Sequence, residues 1–372
     1  MKKQYDFVVV GSGLYGAVFA QQMKEAGQSV LVLESRKHIG GNCYSEDHED
    51  TGINVHRYGT HIFHTNDQRT WDYINRFTEF NHYRHGVLTT YQKRVYTMPI
   101  NLGTINSFYN TSLVPSEVDA FLSSKKGTIQ RPKNLEEQAI KLVGEDLYRA
   151  FIRGYTLKQW QRDPKELPAS IITRLPVRNS YDASYFSDRY QGIPLHGYTP
   201  IFERMLDGVD IELGVDFFDD VEHWRSRAGH LVYTGPIDRY FKFQHGKLNW
   251  RSVRFETELL DEADFQGTSV MNYADEDIPY TRIHEPQHLH PERRQSTQPG
   301  TVVMREYSYN NEKAPYYPVN SPEDKERFAL YQALARKDEG VTFGGRLAEY
   351  KYYDMHQVIA SALARVRALN RQ

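Results

Sequence analysis

Three glycines in the run Gly11-Ser12-Gly13-Leu14-Tyr15-Gly16 are spaced so that a main chain can approach a pyrophosphate. Gly11 permits the tight turn, Gly13 the close approach of the backbone to phosphate, and Gly16 the packing of a helix on a strand. A helix that opens there presents free N–H groups and a partial positive charge to an anion. Ser12 and Leu14 lie within the turn and join the candidate contacts. Glu34, which closes the next apolar run, can accept hydrogen bonds from ribose hydroxyls, and Ser35 follows it. His61 and His64, three residues apart, have ligand chemistry, but no cysteine or carboxylate set completes a zinc site around them, so no metal is expected. The single cysteine, Cys43, excludes an internal disulfide, a CxxC redox pair and a cysteine zinc site, which fits a reducing, cytoplasmic setting.

These residues need elements to position them. Phe7-Val8-Val9-Val10 is a continuous apolar run of the kind found in buried parallel strands. Ala17, Val18, Ala20 and Met23 then repeat at helical spacing until Gly27, and Val30-Leu31-Val32-Leu33 is a second buried strand. The glycines therefore sit where a dinucleotide fingerprint requires, between strand and helix within one β-α-β unit. From residue 83 alternation replaces helical spacing, with Val87 to Tyr91 and Val95 to Met98 flanking a polar tip at Gln92 and Lys93, a hairpin. Residues 101–162 read as helices, with start signals at Ser116/Asp119 and Asn134/Glu137. Residues 250–310 return to strands, and Val341 to Phe343, Gly344-Gly345 and Met355 to Leu369 close the chain as strand, turn and amphipathic helix.

A chain of 372 residues is too long for one ordinary core. The expected fold is α/β, with a Rossmann-like parallel sheet built from both chain ends, an inserted helical domain and an inserted antiparallel β-sheet domain. The expected division gives 1–82, 190–240 and 320–372 to the dinucleotide domain, and 100–180 to the helical domain with a substrate loop near 165–180. The β-sheet domain takes 83–99, 181–189 and 241–319. A formal net charge of −2 gives no global field for nucleic acid, and no run approaches the ~18 apolar residues of a membrane span, so neither partner is expected. The 27 tyrosines pair a stacking face with a hydroxyl, which suits a polar, ringed ligand, although cores and sheets account for most of them.

The acid at Glu34 followed by Gly40-Gly41-Asn42 resembles the extended fingerprint of FAD enzymes of the glutathione-reductase and amine-oxidase type. Their C-terminal return to the flavin has a counterpart in Phe343-Gly344-Gly345-Arg346 and Asp354-Met355. No second G-x-G-x-x-G is present to bind NAD(P)H. More particular are Tyr58-Gly59-Thr60-His61-Ile62-Phe63-His64-Thr65, Met98-Pro99-Ile100-Asn101-Leu102 and Gly154-Tyr155-Thr156-Leu157-Lys158-Gln159-Trp160. With Tyr233-Thr234-Gly235-Pro236-Ile237-Asp238, Arg254-Phe255-Glu256-Thr257-Glu258, Tyr280-Thr281-Arg282-Ile283-His284-Glu285, Pro315-Tyr316-Tyr317-Pro318 and Asp354-Met355-His356, they run in order along essentially the whole chain. Together they resemble the bacterial UDP-galactopyranose mutases.

That resemblance implies interconversion of UDP-galactopyranose and UDP-galactofuranose, with no net redox, through a covalent adduct of galactose on reduced flavin N5. It implies galactofuranose for cell-surface glycans, an external reductant such as NAD(P)H, and a homodimer. It places FAD against the fingerprint residues, Gly41, Asn42, Thr60, His61, Arg346, Asp354 and Met355, with His61 at the flavin ring. Arg174 looks like the family's mobile-loop arginine and Arg282 like its fixed partner, both with the planar fork that suits a diphosphate. Phe151, Tyr155, Thr156 and Trp160 correspond to the uridine end, where Ile152 and Gln161 stand in place of the Phe and Gly that relatives often carry. Tyr185, Tyr316 and Tyr352 resemble phosphate-contacting tyrosines, and Arg251 and Asn272 complete the expected substrate contacts. By spacing alone, the aromatics at 151–160 read as core and any one arginine as a surface ion pair. A flavin amine oxidase or dehydrogenase shares the fingerprint and is the alternative enzyme; a flavoprotein serving only as a binding module is the alternative outside catalysis.

Overall fold

The computed structural model describes residues 4–127, 129–172, 177–293, 300–310 and 315–369. Its first sheet has five parallel strands in the order Val341–Phe343, Ala228–Tyr233, Tyr5–Val10, Val30–Glu34, Asp210–Leu213. The continuous apolar runs have the cause that parallel strands impose, since both faces are covered. Val9, Val32 and Val232 pack with the helices Leu14–Glu25 and Met355–Leu369, while Val8, Leu31 and Leu231 join Phe217 and Trp224 on the other face. The two chain ends thus meet in one sheet, as an α/β fold with a Rossmann-like unit requires.

The second sheet has seven strands in the order Tyr317–Pro318, Trp250–Leu260, Thr301–Tyr309, Arg282–His284, Val270–Tyr273, Val87–Tyr91, Arg94–Met98. Every pairing is antiparallel except that of Val270–Tyr273 with Val87–Tyr91. No hairpin fixes the sense of that pair, because its strands come from distant stretches of chain. The hairpin 87–98 turns at Gln92 and Lys93, both at positive φ.

Between these strands lies the helical insert. Leu102–Tyr109, Val118–Lys125 and Leu135–Val143 bury Ile105, Val118, Leu122, Leu135, Ala139 and Val143 in one cluster. Asn134 caps its helix through the Glu137 amide at 2.9 Å. Ser116 does not do the same. Pro115 begins a short 3-10 turn, Pro115–Glu117, and the Glu117 carboxylate accepts from the Val114 amide at 3.0 Å, so the helix proper starts at Val118. Pro115 supplies the helical φ one residue earlier than the expected cap. A wide π-type turn at Tyr148–Arg153 feeds the helix Gly154–Trp160.

Asn101 ties the insert to the hairpin. Its side chain accepts from the Thr104 amide at 3.1 Å and donates to Thr97 Oγ1 at 2.9 Å and Pro99 O at 3.1 Å, and the residue is 1% exposed. Asn101→Ala removes the cap and strands buried partners, so we expect a loss of about 1–2 kcal/mol in a denaturant titration; an unchanged midpoint would show that the cap is dispensable.

Candidate functional site

The loop after the first strand is held in place by the chain itself. Glu34, buried, accepts from the Ser12 amide at 2.9 Å and the Ser12 hydroxyl at 2.6 Å through one oxygen, and from the Arg36 amide at 2.9 Å through the other. Gly11 has φ +103°, and a Cβ there would lie 2.2 Å from Thr234 Oγ1. A Cβ on Gly16 would lie 2.0 Å from Gly11 O. Both glycines are thus demanded by the fold. Gly13 is different: its φ is −65°, and a Cβ would meet nothing nearer than Gly41 Cα at 3.9 Å. The protein leaves that space open, into a cavity of about 760 Å³.

Gly11, Gly13, Leu14, Glu34, Ser35, Gly41, Asn42, His61, Arg346 and Met355 line this cavity. Ser12 and Gly16 lie beneath it, acting on the loop. The helix Leu14–Glu25 opens toward it with no acid in its first turn, which leaves the partial positive charge uncompensated. The Arg36 guanidinium stacks on Tyr58, 4.1 Å from the ring centroid, and its Nη2 donates to Asn42 Oδ1 at 2.8 Å. Its Nη1 is buried with no partner. A buried guanidinium nitrogen without an acceptor fits an anionic ligand, so the donor set suits a dinucleotide pyrophosphate. Distant segments complete the wall: Val215, Thr234 to Pro236, Leu248 and Trp250. Thr234 to Pro236 were singled out only as part of a family motif without a site role, and no sequence signal marks Val215, Leu248 or Trp250.

A second cavity, about 190 Å³, is lined by Thr60, Tyr185, Asn272, Arg282, Tyr352 and Asp354, with His64, His85, Phe186, His284, Glu306 and Tyr317 besides. His61, Arg346 and Met355 line both cavities, so the two meet there. The Arg346 guanidinium lies 5.6 Å from the Tyr317 ring centroid and 5.5 Å from that of Tyr352. Strand pairing sets Arg282 opposite Asn272 on one side and Glu306 on the other. Arg282 Nε lies 3.1 Å from the Tyr155 hydroxyl and 3.5 Å from Glu306 Oε1. Burial opposes the charge on Arg282, but Glu306 together with the Tyr155 and Tyr185 hydroxyls outweighs it and raises the guanidinium pKa. Burial likewise resists ionisation of Glu306, yet Arg282 and His284 outweigh it and hold the carboxyl at about 2.

Other expected substrate residues lie away from both cavities. Phe151 packs edge-on against Tyr91, Tyr96 and Phe108 in the helical core, Thr156 is buried, and Trp160 borders that core. Tyr155 reaches the site only through Arg282. Arg251 is 5% exposed, bonded through Nη1 to Asn310 and carrying Nε and Nη2 without partners, and Tyr316 beside it donates its amide to Arg251 O at 3.0 Å. Arg174 falls outside the described residues. Among the described residues two groups have metal-ligand spacing, His64/Asp354/His356 and Asp264/Glu285/His288. The first abuts the start of the helix Met355–Leu369, whose partial positive charge opposes a cation. In the second, His288 already bonds Asp264 at 3.1 Å. No helix among the described residues is long and apolar enough to cross a membrane.

Comparison with known proteins fits this geometry. Residues 150–352 match the profile of the UDP-galactopyranose mutase family, and residues 9–77 that of the NAD(P)-binding Rossmann-like domain. The chain is 41% identical over 364 residues to the dTDP-fucopyranose mutase of Escherichia coli, covering 96% of each chain. It is 40% identical to a probable UDP-galactopyranose mutase of Klebsiella pneumoniae, over 96% of this chain and 93% of that one. A crystal structure of reduced UDP-galactopyranose mutase superposes with a TM-score of 0.75 at 13% identity, over 99% of this chain and 96% of that one.

Two outcomes follow from the geometry. Gly13→Leu should leave the melting temperature of the ligand-free protein nearly unchanged while stripping the purified protein of dinucleotide absorbance; retention of full absorbance would place the ligand elsewhere. Burial first, with the nearby Arg346 charge, pushes His61 down to about 4 despite the Gly59 carbonyl, and burial with Arg282 pushes His85 to about 3. Both imidazoles should stay neutral to about pH 5, and stability should fall as pH drops below about 6.5, because the unfolded chain binds protons that the native site refuses. Imidazole NMR resonances for these residues that titrate near pH 6.5 would contradict this.

Proposed function

The chain belongs to the UDP-galactopyranose mutase family, and from that membership we propose that it interconverts UDP-galactopyranose and UDP-galactofuranose, with FAD as its resident cofactor. The observation that carries the reading is the junction of the two cavities at His61, Arg346 and Met355. A dinucleotide laid along the glycine loop has one end there, and a nucleotide-sugar held by Arg282 has its reacting sugar there. When bound and reduced, the flavin supplies a nucleophilic nitrogen, N5, for the anomeric carbon. The protein's part is to bind, orient and neutralise. Arg282, fixed on its strand by Glu306 and Tyr155, donates to the diphosphate and stabilises the negative charge that grows as the glycosidic bond opens. From the family resemblance, Arg174, which lies outside the described residues, is proposed as the second arginine for the diphosphate. The hydroxyls of Tyr185 and Tyr352, both on the cavity wall, add hydrogen bonds of about 1 kcal/mol net each. His61, neutral, lines the junction and is not needed as a general base.

We propose further that an external reductant such as NAD(P)H maintains the active state, that the enzyme works as a cytoplasmic homodimer, and that its product supplies cell-surface glycans. We propose a second candidate substrate on the strength of a relative's name. The Escherichia coli protein, named for dTDP-fucopyranose, is as similar as the Klebsiella pneumoniae one named for UDP-galactopyranose. The base methyl, the ribose 2′-hydroxyl and the sugar's 6-hydroxyl distinguish the two.

The deciding experiment incubates reduced protein with UDP-galactofuranose, and separately with dTDP-fucofuranose, and follows the pyranose by chromatography. We expect many turnovers per two electrons of dithionite. One turnover per electron pair would replace the mutase reading by an oxidoreductase. Arg282→Ala should lower kcat by ~100-fold while weakening substrate binding less, since the lost donor acts mainly on charge developed in the transition state. Arg282→Lys should restore only part, because it keeps the charge and loses the fork. A loss confined to affinity, with kcat unchanged, would assign Arg282 to ground-state binding.

A further inference from the structure

A file of polar groups, buried at Glu306 and His284 and half-buried at its ends, joins the two sides of the junction. Tyr155 meets Arg282, whose Nε lies 3.5 Å from Glu306 Oε1; Glu306 Oε2 lies 3.0 Å from His284 Nε2; and His284 Nδ1 lies 2.7 Å from Thr60 Oγ1. His284 is 2% exposed and uses both ring nitrogens. Glu306 is ionised, so it only accepts, and the His284 Nε2 must carry hydrogen. In the neutral ring Nδ1 is then the acceptor, and the Thr60 hydroxyl donates to it. The file ends on a segment with no slack. Gly59 has φ +95°, and a Cβ there would lie 2.8 Å from the Phe255 ring, which itself packs edge-on against His284 at 5.7 Å. Thr60 leads directly into His61, one of three residues common to both cavities.

Resting on the mutase reading above, we propose that His284 and Glu306 are positioning residues that fix the diphosphate-binding Arg282 and the Thr60–His61 segment relative to each other. Neither needs to touch a reacting atom. Glu306 orients the guanidinium and sets the imidazole tautomer; His284 carries that constraint to the main chain beside the flavin site. The two nitrogens separate the two functions. Gln at 284 places its amide near the Nε2 position and keeps a partner for Glu306 while dropping Thr60. Asn places its amide near the Nδ1 position and does the reverse.

The test titrates UDP into the FAD-loaded wild type, His284→Gln, His284→Asn and Thr60→Val, reading UDP affinity by calorimetry and the UDP-induced change in flavin absorption. Turnover, melting temperature and flavin content are measured alongside. His284→Gln and Thr60→Val should keep the UDP Kd within about twofold, lose the UDP-induced spectral change and lower kcat by ~10-fold or more, a typical cost for removing an orienting hydrogen bond behind a functional group. His284→Asn should instead weaken UDP binding by ~10-fold through the misplaced Arg282. Thr60→Val, which preserves shape, decides the matter if the buried variants do not fold. Wild-type spectra, affinity and kcat in Thr60→Val and His284→Gln would overturn the proposal. A wild type that binds UDP and shifts its spectrum but never interconverts the sugars would overturn the mutase reading instead.

Discussion

A chain that leaves a buried parallel strand and at once begins a helix packed on that strand has no room for a side chain at the crossing. Here that crossing puts a Cβ at residue 16 within 2.0 Å of the Gly11 carbonyl. The close approach aims the helix start at open space rather than at protein. Glu34 secures it by binding the Ser12 amide and hydroxyl from the next strand, so the turn, the strand spacing and the helix direction form one rigid body. The Gly40-Gly41 turn, the cavity and the meeting with the C-terminal helix all depend on that geometry.

The opposite side of the junction depends on a charge. Arg282 stands on a three-residue strand inside a wide sheet, where an isolated guanidinium is costly. Glu306 on the neighbouring strand, directly opposite in register, neutralises it and is itself satisfied by Thr281 and His284. Because the pair is complete within the protein, the remaining guanidinium N–H groups can face a ligand without reorganising. Such preorganisation is what gives an electrostatic contact leverage on a transition state.

The helical insert contributes differently. Its core aromatics are packed against each other, and the Tyr155 hydroxyl is what it extends to Arg282. The wide turn before Gly154 and the 2.1 Å that would separate a Cβ there from Ala274 O press this helix against the sheet. Side chains that share a motif with Tyr155, such as Phe151, pack in the helical core and hold the helix in place.

Much of this was legible locally. Periodicity located the strands 5–10 and 30–34, the hairpin 87–98 and the helix Met355–Leu369, because apolar spacing records which faces are buried. The glycine run, Glu34 and Arg282 were readable because each is tied to a nearby element or a particular motif. Ser116 misled because a proline one residue earlier set the turn before a cap could. Helical spacing alone read Phe151 and Trp160 as core, but the roles of Arg36, Glu306 and His284 were not legible. They depend on pairing between strands far apart in the chain, such as Arg282 with Glu306 and Val270–Tyr273 with Val87–Tyr91. The sequence by itself determined which segments are strands and helices and that a glycine-rich strand-to-helix turn is present, since these follow from neighbours along the chain. Only the tertiary structure decided which polar groups meet across the junction, because strand register between distant segments, not residue type, selects their partners.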